Sequence, residues 1–188
     1  ISELIEYYKG IFTILSSCAS RQLEEVTFRR GIISVPELFV LAEKYFRKAN
    51  KGKEFAVSFS TKAIDERVVG DFIQLRFLLE NLIDEALSVP LDGKIHLAAA
   101  VDGEYIRFLF TDMRRTKNRE ELNQLFYPNL ERMTATGEKG ELRGTEYLVC
   151  KQIIRDHDEF AGKRGCRINA EPAENGGFTV YFTIPRRK

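Results

Sequence analysis

Residues 68–87 read VVGDFIQLRFLLENLIDEAL. Leu75, Leu78, Leu79, Leu82, Ile83 and Ala86 recur there at steps of one, three and four, the spacing of one apolar helix face, and predict a helix from Phe72 to Leu87 that is the most apolar of the chain. Pro90 and Asp92-Gly93 end it. Two polar residues, Asn81 and Glu85, lie one helical turn apart on the same face of this helix.

Downstream, residues 94–101 and 104–110 predict strands joined by Asp102-Gly103, a strong hairpin signal. Residues 118–126 predict a short helix. Residues 127–143 are rich in Thr, Gly, Glu and Lys without periodicity and predict a loop. Helix returns over 144–157, and residues 164–171 and 178–184 form a second hairpin around Asn175-Gly176-Gly177. Upstream, Phe55, Val57 and Phe59 alternate with small residues over 54–60, as in a half-buried strand. Before it, Pro36 opens a helix over 37–49, and residues 32–35 read as extended, with Val68-Val69-Gly70-Asp71 leading directly into the apolar helix. Ile1, Leu4, Tyr8, Ile11, Leu15 and Cys18 make a heptad-like stripe widened by Ile5 and Phe12. That stripe fits a helix packed on its own domain and a dimer seam equally well. The order as a whole predicts an α+β fold, a two-layer α/β sandwich with a mixed, mostly antiparallel sheet preceded by an N-terminal helix.

Composition bounds the function classes. The chain has 188 residues, 44% of them hydrophobic, with 29 Lys plus Arg against 28 Asp plus Glu. Such a chain has a real core and no broad basic field for nucleic acid. No run of apolar residues is long enough to cross a membrane. Cys18, Cys150 and Cys166 are too few and too scattered for a disulfide framework and fit a reducing compartment. With only His96 and His157 besides them, no familiar zinc spacing can be assembled. The first residue is Ile1, and no leader follows it, so the expectation is a cytoplasmic segment of a longer protein, which could itself be the cytoplasmic part of a membrane-bound sensor.

From about residue 32 onward the chain resembles the ATP-binding domain of sensor histidine kinases, the Bergerat-type fold shared with gyrase, Hsp90 and MutL. The resemblance rests on Val69-Gly70-Asp71 leading to Asn81-Leu82-Ile83-Asp84-Glu85-Ala86, similar to the N box. Asp112 stands where a D-x-G-x-G box begins, and Phe126, after Leu125, stands where the F box sits. Gly144 to Lys151 resemble the last glycine box running into its helix, and Gly176-Gly177-Phe178 to Pro185 the closing strand. The implied division is 1–31 as the end of a dimerisation hairpin with its linker, and 32–188 as the ATPase domain.

The resemblance implies a nucleotide site at Asn81, Glu85, Asp112, Arg114, Phe126, Gly137, Gly140, Gly144 and Lys151, with Mg²⁺ at Asn81 and Glu85. The departures from the family pattern fall on those same positions. Glu85 replaces the second Asn of the N box, putting a carboxylate among phosphates; carboxylate oxygens also ligate Mg²⁺, but the expectation here is a solvated residue at the lip of an empty cleft. Arg114 and Thr116 replace the glycines after Asp112. A side chain forced into left-handed geometry costs about 1–2 kcal/mol, and a long Arg takes up space meant for adenine or ribose. An Arg114 or Arg115 swung outward would instead offer charge to an anion. Glu146 replaces the second glycine of the last box, the wrong sign for a triphosphate at a helix start. The phosphoacceptor His of the family is missing from residues 1–23.

Three functions therefore stand as expectations. The leading one is a degenerate histidine kinase-like domain, not an enzyme, with no cofactor, which works as a signalling and interaction module with protein partners and a homodimer seam in 1–22. The alternative keeps ATP and Mg²⁺ as ligands and acts on a His elsewhere. An unrelated α+β interaction domain is the third.

Overall fold

Ser34 and Asp71 each end a strand and begin a helix. In the computed structural model, which describes residue 5 and residues 28–127, 145–174 and 176–188, β1 (Arg30–Ser34) pairs antiparallel with β3 (Arg67–Asp71), so the two junctions lie at opposite ends of one ribbon. The Ser34 hydroxyl accepts from the Glu37 amide and starts α1 (Val35–Asn50), with Pro36 in the first turn where its missing N–H costs nothing. The Asp71 carboxylate accepts from the Gln74 amide and starts α2 (Phe72–Leu87).

A five-stranded sheet carries the rest, in the order β2 (Val57–Lys62), β4 (Gly93–Asp102), β5 (Tyr105–Asp112), β7 (Phe178–Pro185), β6 (Ile168–Pro172). Only β2 and β4 run parallel; every other pair is antiparallel. Alternation puts Ile95 and Leu97, Ile106, Phe108 and Phe110, and Val180 and Phe182 on one face, all buried. Phe108 and Phe182 face each other in register, their rings stacked at 4.8 Å. Onto this face pack Leu38 and Phe39 of α1, Leu75, Leu78 and Leu82 of α2, and Ile153 and Ile154 of α4 (Glu146–Phe160). Burying each of these side chains contributes about 1.5–3 kcal/mol, so the core is what joins the layers.

The other face is polar along one row: Ser60, His96, Thr111 and Thr179 are successive register partners. Ser60 Oγ lies 2.7 Å from His96 Nδ1, and the two threonine hydroxyls 2.8 Å apart. This accounts for His96 as a sheet-surface residue.

The expected α+β sandwich is the observed fold, and its differences from the sequence reading are local. β3 is a strand, where the sequence of 68–71 reads as a lead-in to the helix. α3 (Arg119–Asn123) opens on a capping box between Asn118 and Glu121 and is shorter than 118–126. α4 starts at Glu146 and runs past His157 to Phe160. β6 starts later than residue 164 because the Asp158 carboxylate takes the Gly165 and Cys166 amides, 2.7 and 3.1 Å away. The expectations for helix 1–18 and the dimer seam in 1–22, for the 128–143 part of the loop, and for Gly137, Gly140, Gly144 and Asn175 lie outside the described residues.

Candidate functional site

β5 extends to Asp112, which is paired with Ile95 on one side and Phe178 on the other. The carboxylate at this strand end is fully buried and points toward the last turn of α2, where the helix exposes carbonyls without intrahelical partners. A bare carboxylate facing the negative end of a helix dipole would be unfavourable. Arg114 resolves the conflict.

The Arg114 guanidinium lies between the two. Its Nε donates to Asp112 Oδ1 and its Nη2 to Asp112 Oδ2, both at 2.9 Å. Nη2 also donates to the Ala86 carbonyl at 2.6 Å, and Nη1 to the carbonyls of Val89 and Leu91 at 3.2 and 2.9 Å. All five of its N–H groups are thereby used. Its side chain is 0% exposed. The space for it comes from Gly93: a Cβ there would stand 2.6 Å from Arg114 Cγ, and its φ of +142° is one that side-chain-bearing residues rarely adopt.

Arg115 closes the remaining side. Its Nε donates to Asp112 Oδ2 at 2.9 Å, while Nη1 and Nη2 make a two-pronged pair with Glu85 at 2.8 and 2.7 Å. The Tyr147 hydroxyl, from the first turn of α4, donates to Glu85 Oε2 at 2.6 Å. The Arg115 guanidinium lies 5.2 Å from the centre of the Phe178 ring, within cation–π range. Two carboxylates and two guanidiniums thus form a neutral cluster, and such matched charge makes burial tolerable.

Proton affinities follow the same geometry. Burial pushes the Asp112 carboxyl up, but the hydrogen bonds and charges of Arg114 and Arg115 outweigh it and hold it below its ordinary 3.8. Burial would lower Arg115, yet Glu85 above all raises it. Burial, followed by the Glu85 charge, lifts the Tyr147 phenol well above 10.0. Asp112, Arg115 and Tyr147 are each held in the protonation state that their partners need.

Of the residues singled out from the sequence, the structure brings Glu85, Asp112 and Arg114 together. Two expectations need correction. Glu85 is not a solvated lip residue: its side chain is 15% exposed and tied to Arg115 and Tyr147. Neither arginine swings outward: Arg114 is held by Asp112 and the Ala86, Val89 and Leu91 carbonyls, and Arg115 by Asp112 and Glu85. Asn81 is buried, with its Nδ2 donating to the Phe77 carbonyl at 2.8 Å. Phe126 is buried edge-on against the Tyr147 ring at 5.8 Å, and the Lys151 amine sits 4.5 Å over the Tyr127 ring. Among the described residues, no group of three or more His, Cys, Asp or Glu side chains is placed to hold a metal. Sequence reading missed Arg115 as a Glu85 partner, Gly93 as the space for Arg114, and Tyr147. The one signal pointing to them was the pair of consecutive arginines after a buried Asp.

An adenine amino group would need a free acceptor on Asp112. Oδ1 already accepts from the Arg114 amide and Nε, and Oδ2 from Arg114 Nη2 and Arg115 Nε. In this arrangement the Asp112 carboxylate has no acceptor left for a nucleotide's amino group.

Residues 70–188 match the family described as histidine kinase-, DNA gyrase B-, and HSP90-like ATPase. No curated protein matches the chain in sequence. Among solved structures it is similar to a mycobacterial sensor histidine kinase, MprB, at 16% identity over 84% of this chain and 98% of that one, with a TM-score of 0.59. It is similar to the Acinetobacter baumannii histidine kinase AdeS at 13% identity over 98% and 81%, TM-score 0.64. A third likeness is to histidine kinase ThkA in complex with the response regulator protein TrrA, at 21% identity over 98% of this chain and 51% of that one, TM-score 0.63. These likenesses carry the fold: a helical layer on a mixed sheet.

Proposed function

Because this chain belongs to the histidine kinase-, DNA gyrase B-, and HSP90-like ATPase family, we propose that it is a sensor-kinase ATPase domain whose nucleotide cleft is closed by its own arginines and which signals through protein contacts without turning over ATP. The observation that supports this most is the saturation of Asp112: both carboxylate oxygens are taken by Arg114 and Arg115. Glu146 in the first turn of α4 adds to it, since a carboxylate occupies the helix end that would otherwise favour a phosphate.

In this reading residues 1–31 form the connection to a dimerisation hairpin, with a homodimer seam in 1–22, and 32–188 the body. The whole works in the cytoplasm. A protein partner of the response-regulator type, as in the ThkA complex, fits such a module. The alternative, Mg²⁺ and ATP held by Asn81, Glu85 and Asp112, requires both arginines to leave their carboxylates.

The test is a thermal-shift series with Mg-ATP. The unmodified chain is expected to melt at one temperature across the series. The variant Glu85→Asn, Arg114→Gly, Thr116→Gly, Glu146→Gly should gain a rise that grows with ligand concentration. A concentration-dependent rise in the unmodified chain would overturn the proposal.

A further inference from the structure

At the end of α4 opposite Tyr147, the His157 side chain is 0% exposed. Its Nε2 accepts from the Asp71 amide at 3.0 Å, and its Nδ1 lies 2.8 Å from the Ile153 carbonyl. An amide can only donate and a carbonyl only accept, so the ring is neutral with its proton on Nδ1. Gly70 makes this approach possible, since a Cβ there would stand 2.8 Å from both Cδ2 and Nε2 of the ring.

The same point receives the chain as it enters the domain. Asp71 Oδ2 accepts from the Arg29 amide at 2.9 Å while Oδ1 caps α2. The Phe28 ring meets the imidazole edge-on at 4.7 Å and lies 5.9 Å from Phe160. Arg30 pairs with Asp71 at the start of the β1–β3 ribbon. Residues 28–30 are thus attached to the α2–α4 pair through Asp71 and His157, and the remainder of β1 follows from that attachment.

We propose that His157 is a proton-sensitive latch: the neutral ring holds residues 28–34 against α2 and α4, and protonation of Nε2 releases that segment while the five-stranded sheet stays folded. The physical reason is the sign of one hydrogen bond. A protonated Nε2 becomes a donor facing the Asp71 N–H, also a donor, and the pair can only separate. Burial lowers the ring's proton affinity most, the Ile153 carbonyl and the Asp71 charge raise it, and the balance leaves it below its ordinary 6.5.

Among the charged groups on the elements around the ring, Asp71 is the one whose charge acts on it. Asp71 on the strand-to-helix turn is engaged by the Arg29 and Gln74 amides. Arg29 and Arg30 belong to the entering segment. On α4 itself, Asp156 takes the Gln152 amide group, and Asp158 takes the Gly165 and Cys166 amides and pairs with Arg164. Because the native value is lowered, the latch is complete above 6.5 and is lost as pH falls below it toward the native value.

Hydrogen exchange of the full chain, with residues 28–34 followed relative to β5, tests this between about pH 7.5 and about pH 5. Corrected for the intrinsic pH effect, exchange in 28–34 is expected to accelerate by up to about tenfold per pH unit, and β5 to hold its protection. His157→Gln, whose side-chain carbonyl can still accept from Asp71, should abolish the acceleration, and His96→Gln should leave it intact. Nitrogen-15 spectra of the ring keep the test independent of whether His157→Gln folds: they should show protonated Nδ1 and bare Nε2 at the higher pH, titrating together with the exchange. Acceleration that persists in His157→Gln, acceleration shared equally by β5, or a ring protonated on Nε2 at the higher pH would each overturn the proposal.

Discussion

Arg114 lies across Asp112, with Nε and Nη2 each 2.9 Å from a different carboxylate oxygen and the rest of its donors on the Ala86 carbonyl in the last turn of α2 and the Val89 and Leu91 carbonyls just after it. One side chain neutralises a buried acid and caps a helix. Arg114→Ala removes both functions and leaves Asp112 with Arg115 alone. Breaking a buried ion pair from one side costs about 3–5 kcal/mol, so thermal unfolding should show a Tm lower by roughly 10 °C for a chain of this size.

Gly93 and Arg114 should be energetically coupled. Gly93→Ala puts a Cβ 2.6 Å from Arg114 Cγ at a φ of +142°, and the strained backbone alone costs about 1–3 kcal/mol. Arg114→Gly removes the collision but not the strain. In a double-mutant cycle by denaturant unfolding, the two losses should sum to less than their separate values by about 1 kcal/mol or more.

The Glu85 pair offers a second cycle. Glu85→Ala frees Arg115 from its two-pronged partner and leaves the buried Tyr147 hydroxyl without an acceptor. Tyr147→Phe removes only a hydroxyl bound to a charged acceptor and should cost about 1.5–3 kcal/mol. Made in the Glu85→Ala background, Tyr147→Phe should cost close to nothing, because its hydrogen bond has already gone. Urea midpoints at constant m-value check this.

Acid stability should depend on the cluster. Because Arg114 and Arg115 overcome burial and hold Asp112 below 3.8, its contribution is complete above that ordinary value and is lost as pH falls through the lower native one. Without the fork, burial dominates and the carboxyl rises. The acid transition of Arg114→Gly, followed by circular dichroism, should therefore begin at higher pH than that of the unmodified chain.

How much of this was legible in the sequence depended on what kind of signal each residue leaves. The α2 face from Leu75 to Ala86 was readable because burial on one side of a helix imposes a period. β3 was not: Val68 to Asp71 becomes a strand by pairing with β1, a contact between residues distant in the chain. At the site, the family resemblance placed Asn81, Glu85 and Asp112 and marked Arg114 and Thr116 as departures from its glycines. Spacing gives no side-chain direction, however. The sequence reading treated Glu85 and Arg115 separately, and only the meeting of α2 with the segment after β5 joins them. Gly93 read as a helix stop, while its structural role is to make room for an arginine 21 positions later.

In the proposed function the arginines occupy the place of the nucleotide. Isothermal titration of Mg-ATP into the full, unmodified chain tests it most directly. No saturable heat is expected up to millimolar ligand, the weak end of measurable affinity at about −4 kcal/mol. A one-to-one isotherm with micromolar affinity, lost in Asp112→Ala, would contradict it.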